Sequence, residues 1–217
     1  MTDAVIFDLD GVIVDSEQVW DAVREALVRE RGGRWTESAQ RDMMGMSSPE
    51  WSRYLHEELG LEESPAELNA EVVRRMLERY RDELPLIEGA VAAVERLAAG
   101  FRLAVASSSN RPLIDAVLGS AGIETLFETT ISSEEVARGK PAPDVYLEAA
   151  ERLGVDPARC AAVEDSSNGL RSAHAAGMRV LAFPNRHYPP ASDALALADV
   201  VLRSLDELAA DTVEPSR

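Results

Sequence analysis

The chain has 217 residues, of which 46% are apolar, and its formal net charge is −17. That length and apolar content suit one folded α/β domain with a small insertion, and they exclude a disordered tail. The acidic balance argues against nucleic-acid and anionic-membrane partners, because a basic patch supplies most of that affinity. No apolar run approaches the roughly 20 residues of a membrane helix, and AVIF at 4–7 is too short for a signal peptide, so we expect a cytoplasmic protein.

Short apolar runs separated by helical patterns recur along the chain. The runs are AVIF at 4–7, LAVA at 103–106, CAAV at 160–163 and RVLAF at 179–183. Amphipathic stretches lie at 90–99, 111–122, 144–154 and 168–177, and a helix is expected to begin at or just after Pro141. Buried parallel strands alternating with helices predict an α/β fold with a doubly wound, Rossmann-like sheet.

Residues 15–87 break this alternation. The stretches 17–31, 48–60 and 64–84 all have helical patterns, and no strand pattern lies between them. We therefore predict a core domain made of residues 1–14 and 88–217, with an all-helical cap domain inserted at 15–87. This segment can fold as a lid hinged at two short connections. Asp15 or Ser16 could equally be an ordinary N-cap, which is compatible with the hinge. The arginines at 74, 75, 79 and 81 alternate with acidic residues, which favours a solvated helix face over a nucleic-acid site.

Acidic and hydroxyl side chains follow three of the predicted strands. Asp8 and Asp10 come after the first strand, Ser107 after the second, and Glu164 with Asp165 after the third. Because the carboxyl ends of parallel strands meet at one crevice, these side chains should lie together. Aspartates in turns are common, so the first pair alone is ambiguous. Two carboxylates about 4 Å apart repel by roughly 4 kcal/mol at an effective dielectric near 20, so a cation is expected among them.

The candidate ligands are all oxygen atoms, which favours Mg²⁺ over zinc. The three histidines, at 56, 174 and 187, lie away from the predicted strand ends. Magnesium binds through carboxylates and substrate phosphate oxygens, so we expect a phosphate ester as substrate. Ser107 and the backbone around Ser108 would donate to the phosphoryl oxygens, although serines after strands are also common in turns. Cys160 is the single cysteine of the chain, so an internal disulfide is excluded, and we interpret it as a small buried residue.

Lys140 is the only lysine beside twenty-one arginines. Near the expected start of a helix, its charge opposes the helix dipole, so its position needs an explanation. A dianionic phosphoryl group and an ionised aspartate repel each other, and a compact ammonium can contact both. We interpret Lys140 as that second cation rather than as a surface charge.

Four segments together indicate a family. They are FDLDGVIVDS at 7–16, VASSSN at 105–110, GKPAPD at 139–144 and VEDSSNG at 163–169. With these motifs the sequence resembles the haloacid dehalogenase-like superfamily, in the helical-cap branch that includes phosphoglycolate phosphatases and β-phosphoglucomutases. The resemblance covers nearly the whole chain. It implies that Asp8 is a nucleophile that forms an aspartyl phosphate, and that Asp10 is the general acid and base.

The same resemblance implies the remaining roles. Ser107 would hold the phosphoryl group, and Lys140 would bridge it to the nucleophile. Magnesium would be bound by Asp8, by the backbone carbonyl of Asp10 and by Asp165, with Glu164 acting directly or through the outer shell of the metal.

The motifs predict a Mg²⁺-dependent phosphatase acting on a small phosphorylated metabolite, such as a sugar phosphate. Asp10 favours phosphoester chemistry, because dehalogenases and phosphonatases lack this second aspartate. The β-phosphoglucomutases carry a histidine in the first cap helix where this chain has Trp20. This departure weakens the alternative of a sugar phosphomutase. A catalytically silent binding protein is disfavoured by the intact motifs.

The predicted cap gives less information about the substrate. GMSSPEW at 45–51 is interpreted equally as a substrate-contacting loop, with Gly45 at the site, or as the N-cap of the next helix. Arg75 and Arg79 are possible contacts for the leaving group, but a solvated face is favoured for both. We expect a monomer without nucleic-acid or membrane partners.

Overall fold

The computed structural model describes residues 1–43 and 46–214. Six parallel strands form one sheet in the order β3-β2-β1-β4-β5-β6. The strands are β1 (Ala4–Phe7), β2 (Arg102–Ser107), β3 (Thr129–Ser132), β4 (Cys160–Glu164), β5 (Arg179–Ala182) and β6 (Val200–Val201). The helices are α1 (Glu17–Glu30), α2 (Ala39–Met43), α3 (Ser48–Glu57), α4 (Pro65–Asp82), α5 (Ala90–Ala98), α6 (Arg111–Ala121), α7 (Asp144–Leu153), α8 (Ser167–Ala175), α9 (Ser192–Leu195) and α10 (Ala210–Val213).

The sheet is buried on both faces, as an α/β sheet covered by helices must be. Successive side chains of β1 point to opposite sides, so Val5 and Phe7 pack into one apolar cluster while Ala4 and Ile6 pack into another. The second cluster includes apolar residues of α7 and α8, and the first continues into the helices between β1 and α5. The predicted doubly wound α/β fold is confirmed.

Four predicted strands match β1, β2, β4 and β5 to within one residue at either end. The sequence patterns missed the strands β3 and β6 and the short helices α2, α9 and α10. In β3 the sequence TTIS lacks an apolar run, because β3 is an edge strand, and β6 has only two residues. The helix expected at Pro141 begins instead at Asp144, with Pro143 at its N-cap. The segment before that helix is irregular and carries Lys140 towards the sheet.

Helices α1 to α4 follow β1, and no strand lies among their described residues before α5. Helix α4 packs against α1 and α3, and it also contacts α6 beside the sheet. On its outer face Arg74 pairs with Glu71 and Glu78, as expected for a solvated face. The domain boundaries at 14/15 and 87/88 stay a prediction.

The two chain connections to these helices run side by side. The backbone N–H of Asp15 donates to the carbonyl of Pro85 at 2.8 Å, and that of Ile87 donates to the carbonyl of Ile13 at 3.0 Å. The helical segment is therefore attached at one place on the sheet. Among the described residues, we find no helix with the length and apolar character needed to cross a membrane.

Candidate active site

The candidate site lies where the strand order reverses beside β1, which is where open α/β sheets bind ligands. Asp8 directly follows β1 and is fixed by a hydrogen bond from its backbone N–H to the carbonyl of Val163 in β4, at 2.9 Å. A cavity that is open to solvent lies there. Its lining residues are Asp8, Asp10, Glu17, Trp20, Arg24, Met43, Met46, Trp51, Ser108, Ser109, Lys140, Asp165 and Ser166.

Gly11 allows the chain to turn sharply at this edge. Its φ is +79°, in the left-handed region that favours glycine, and a Cβ added there would lie 1.9 Å from Oδ2 of Asp165. A side chain at this position would therefore displace a carboxylate of the site.

Lys140 is buried between two carboxylates. Its Nζ lies 2.9 Å from Oδ1 of Asp8 and 2.5 Å from Oε1 of Glu164, and its side chain is 2% exposed. Burial by itself lowers the pKa of an amine, but the attraction of Asp8 and Glu164 outweighs burial and raises the pKa of Lys140 above its ordinary value. The ammonium is therefore charged at any physiological pH.

Glu164 is fully buried, and both of its oxygens accept hydrogen bonds. Oε1 accepts from Lys140 and from the hydroxyl of Tyr146 at 3.0 Å. Oε2 accepts from the N–H groups of Asp165 and Ser166, at 3.0 and 3.2 Å, and from the Ser166 hydroxyl at 3.2 Å. Gly169 makes this packing possible, since a Cβ there would lie 1.8 Å from the Glu164 carboxyl group. The glutamate thus fixes Lys140 to the N-terminal turn of α8.

Three buried carboxylates form a cluster that could hold a metal ion. Asp8, Glu164 and Asp165 each offer an oxygen within 4.8 Å of the other two. Burial first, and then repulsion from neighbouring carboxylates, raise the pKa of Asp8 well above its ordinary value in spite of Lys140. Burial and the other two carboxylates raise the pKa of Asp165 as well. One lysine leaves this negative charge incompletely offset, and an all-oxygen donor set fits a hard divalent cation such as Mg²⁺.

Asp10 is held by donors from both parts of the fold. Its Oδ1 accepts from the Ser16 hydroxyl at 2.5 Å and from Nε1 of Trp20 at 3.1 Å. Its Oδ2 accepts from the hydroxyl of Ser109 at 2.6 Å and, at 3.4 Å, from that of Ser107. Ser16 occupies the N-cap position of α1 but caps no backbone N–H. Its hydroxyl instead links α1 to Asp10.

The serine run after β2 divides into different environments. Ser107 is fully buried, and its Oγ accepts from the backbone N–H of Ser109 at 2.9 Å. Ser107 does not line the cavity, whereas Ser108 and Ser109 do.

Gly45 lies outside the described residues, so its predicted substrate contact stays a prediction. In the next segment Ser47 donates to Glu50 in a capping box, as the N-cap interpretation of GMSSPEW expects. Met46 lines the cavity, and a substrate contact by this loop stays a prediction.

Several residues of the site were not identified from sequence. Tyr146 lies on an apolar helix face, and Asn185, which donates to Asp165 at 3.2 Å, lies in a loop far along the chain. Glu17 and Arg24 look like ordinary charges on an amphipathic helix, yet both are buried and line the cavity. Ser109 was also not identified, although the run of three serines after β2 is a sequence signal that could have indicated it. Cys160 is buried, and burial raises the pKa of its thiol to about 11, in line with a structural role.

A family model described as haloacid dehalogenase-like hydrolase matches residues 2–177. The chain belongs to this family. The family resemblance expected from the four motifs is therefore confirmed.

Relatives with assigned names cover most of the chain. It is 34% identical to the protein CbbY of Rhodobacter capsulatus, over 85% of this chain and 86% of the relative. It is 32% identical to hexitol phosphatase B of Escherichia coli, over 95% and 94%. The crystal structure of a CbbY mutant from Rhodobacter sphaeroides in complex with xylulose-(1,5)bisphosphate superposes with a TM-score of 0.86 and 27% identity, covering 99% of this chain and 100% of the other.

Proposed function

We propose that this haloacid dehalogenase-like protein is a Mg²⁺-dependent phosphatase that hydrolyses a small phosphorylated sugar or polyol through an aspartyl phosphate. The general class, a phosphatase of this family, is confirmed by the family match and by relatives named as phosphatases. The metal, the intermediate and the substrate are proposals.

The observation that carries the proposal is the ion pair of Asp8 with Lys140 beside a second aspartate. Asp8 lines the cavity with one oxygen already held by the lysine at 2.9 Å, so its carboxylate is oriented and partly neutralised. Asp10 lines the same cavity and is oriented by four side-chain donors. A nucleophile and a proton-transferring group on one cavity wall are the parts needed for a two-step phosphoryl transfer.

In the first step a carboxylate oxygen of Asp8 attacks phosphorus, and the bond from phosphorus to the leaving oxygen breaks. Asp10 donates a proton to that oxygen, so the alcohol leaves uncharged. In the second step Asp10 accepts a proton from water, whose oxygen attacks phosphorus and releases phosphate from Asp8. Lys140 contacts the nucleophile throughout and reduces the repulsion between Asp8 and the phosphoryl oxygens.

The carboxylates of Asp8 and Asp165 and the backbone carbonyl of Asp10 are assigned to the metal. Mg²⁺ bound there would offset their repulsion and the charge of the phosphoryl group. We assign Glu164 to the outer shell, because both of its oxygens already accept hydrogen bonds. Ser108 at the cavity wall is assigned to the phosphoryl oxygens, while the buried Ser107 supports the turn that carries it.

The test is a phosphate-release assay on a panel of sugar and polyol monophosphates, with Mg²⁺ and with a chelator. We expect release only with the metal, and we expect Asp8→Asn to abolish it. Thermal unfolding with Mg²⁺ and beryllium fluoride, a mimic of the aspartyl phosphate, gives an independent readout. Absence of release from every ester, with no stabilisation by the mimic, would support a silent binding protein instead.

A sugar phosphomutase is the alternative, since a putative β-phosphoglucomutase of Thermotoga maritima superposes with a TM-score of 0.72 at 27% identity. Trp20 argues against it, because its indole N–H is committed to Asp10 and cannot exchange protons with a substrate as a histidine could. Isomer formation that depends on a bisphosphate activator, without net phosphate release, would identify a mutase.

A further inference from the structure

We propose that Arg24 is a specificity-determining residue whose guanidinium binds hydroxyl oxygens of an uncharged, polyhydroxylated leaving group. The inference rests on the proposed phosphatase function, because it assigns the part of the same cavity that faces α1. It narrows the substrate class to monophosphates of sugars or polyols, in preference to bisphosphates.

The first observation is that the Arg24 side chain is buried without a hydrogen bond or an ion pair to any described residue. The residue is 4% exposed and lines the cavity, and its Nε has no hydrogen-bond partner among the described residues. No ion pair joins it to any described carboxylate within 4.0 Å. A guanidinium carries five N–H donors, and buried donors are costly to leave unmade. Nε is closed off from the cavity, so the terminal nitrogens of the guanidinium are the donors that a ligand there can meet.

The second observation is that two aromatic rings hold the guanidinium in place. Its central carbon lies 4.5 Å from the ring centroid of Trp20 and 4.9 Å from that of Trp51. These distances are within the range of cation–π attraction. The two rings therefore fix the position of the charge before any ligand binds, and both line the same cavity.

The charges around Arg24 favour an uncharged ligand. Glu17 and Asp10 line the same cavity, and both attract Arg24 electrostatically without contacting it. A second phosphate group beside Arg24 would meet these two carboxylates, because the other cation of the cavity, Lys140, is already paired with Asp8 and Glu164. A hydroxyl group can accept a hydrogen bond from Arg24 and donate one to Glu17, so it satisfies both residues without adding charge. Gln40 already donates to Glu17 at 2.9 Å and fixes the carboxylate.

The other cap arginines considered from sequence do not compete for this role. Arg75 is paired with Glu71 and Glu30, at 2.7 and 2.6 Å. Arg79 is exposed and does not line the cavity. Arg79→Met is therefore a matched control, because it removes the same charge from a neighbouring helix of the same segment.

The test compares kcat/KM for sorbitol 6-phosphate, 4-nitrophenyl phosphate, fructose 6-phosphate and fructose 1,6-bisphosphate. We expect Arg24→Met to lower the value for sorbitol 6-phosphate at least about 10-fold more than the value for 4-nitrophenyl phosphate, which has no hydroxyl groups on its leaving group. Arg24→Gln, which keeps two N–H donors, should show a smaller difference. Arg79→Met should leave all the ratios unchanged.

Different failures are distinguishable. If the wild-type protein releases phosphate from none of these esters or of the wider panel, and Mg²⁺ with beryllium fluoride does not stabilise it, the proposed function fails and the inference fails with it. If the wild type is active but both Arg24 variants lose equal activity on all substrates, the inference alone is wrong. A loss that is greatest for fructose 1,6-bisphosphate relative to fructose 6-phosphate would show that Arg24 binds a second anion. Circular dichroism checks that each variant is folded, and Arg24→Gln serves if Arg24→Met does not fold.

Discussion

At the scale of the residue, Lys140 shows how one charge depends on its surroundings. It is held between Asp8 and Glu164, and its Nζ lies 5.0 Å from the ring centroid of Tyr146. The narrow space accepts an ammonium, whereas the planar fork of arginine needs more room and a bidentate acceptor. A cation at this position must therefore also have the compact shape of an ammonium group to fit between the two carboxylates.

We predict that Lys140→Arg leaves the fold intact but lowers kcat roughly 100-fold, because the charge can no longer contact Asp8 and the phosphoryl group together. Steady-state phosphate release measures the loss, and near-ultraviolet circular dichroism checks the fold. Arg138→Lys is the matched control, since its side chain is 70% exposed and pairs with Asp144 at the surface. Near-normal turnover by Lys140→Arg would return Lys140 to a merely structural role.

Glu17 is a second residue whose environment decides its chemistry. Burial, and next the negative charge of Asp10, raise its pKa from 4.5 to about 7. Between these two values the folded protein holds a proton that the unfolded chain has released. The contribution of Glu17 to stability is therefore full below about pH 4.5 and is lost as the pH rises through about 7.

We predict that Glu17→Gln becomes more stable than the wild type as the pH increases. The difference in the free energy of unfolding should be small at pH 5 and reach on the order of 2–3 kcal/mol at pH 8. Urea denaturation of both proteins at pH 5, 6, 7 and 8 measures it. A difference that does not change with pH would mean that Glu17 ionises as an exposed glutamate does.

At the scale of the element, the start of α8 is built around one carboxylate. The backbone N–H groups of Asp165 and Ser166 point at Glu164, and Gly169 in the first turn lies directly against its carboxyl group. The negative charge at this end of the helix also suits the helix dipole. The start of α8 and the ion pair between Glu164 and Lys140 therefore depend on each other.

We predict that Gly169→Ala lowers the free energy of unfolding by about 2–3 kcal/mol and also reduces turnover, because the added Cβ displaces Glu164 and with it Lys140. Gly119→Ala in α6 is the matched control. Its Cβ would meet only the end of the Glu124 side chain, at 3.1 Å, so alanine should be neutral or stabilising by up to about 1 kcal/mol. Equal effects of the two substitutions in urea denaturation would contradict the close packing of Glu164.

At the scale of the whole molecule, the helical segment and the sheet share one apolar cluster. Val5 and Phe7 of β1 belong to the same buried cluster as Leu27 of α1 and Val72 of α4. Helix α4 also packs against α6. The division into a cap at 15–87 and a core stays a proposal, and the shared packing joins the two parts.

We predict that the protein unfolds in one cooperative transition. All three tryptophans, at 20, 35 and 51, lie in the helical segment, so tryptophan fluorescence reports on that segment while far-ultraviolet circular dichroism reports on the whole chain. Because the apolar cluster is shared, the two signals should have the same midpoint in urea. Fluorescence that changes at lower urea would show that the helical segment unfolds separately.

The sequence alone determined the four central strands of the sheet and placed acidic or hydroxyl residues after three of them. Apolar runs marked four strands because central parallel strands are buried on both faces, and the residues after them lie together because strand ends converge. That is why Asp8, Asp10, Glu164 and Asp165 were placed at one site from their positions after the strands, whereas Lys140 was assigned to it from its charge and from the family resemblance. The edge strand β3 was not predicted, because a strand at the edge of the sheet has too few apolar neighbours to require an apolar run.

Only the tertiary structure decided how individual side chains are used. It buried Ser107 and left Ser108 at the cavity wall. It also gave the two oxygens of Glu164 five hydrogen bonds, one of which comes from Lys140. It also placed Arg24, which looks like an ordinary helix charge, as a buried cation against two tryptophan rings that contact each other. Periodicity tells which face of a helix is apolar, but the partner of that face depends on contacts between residues far apart in the chain.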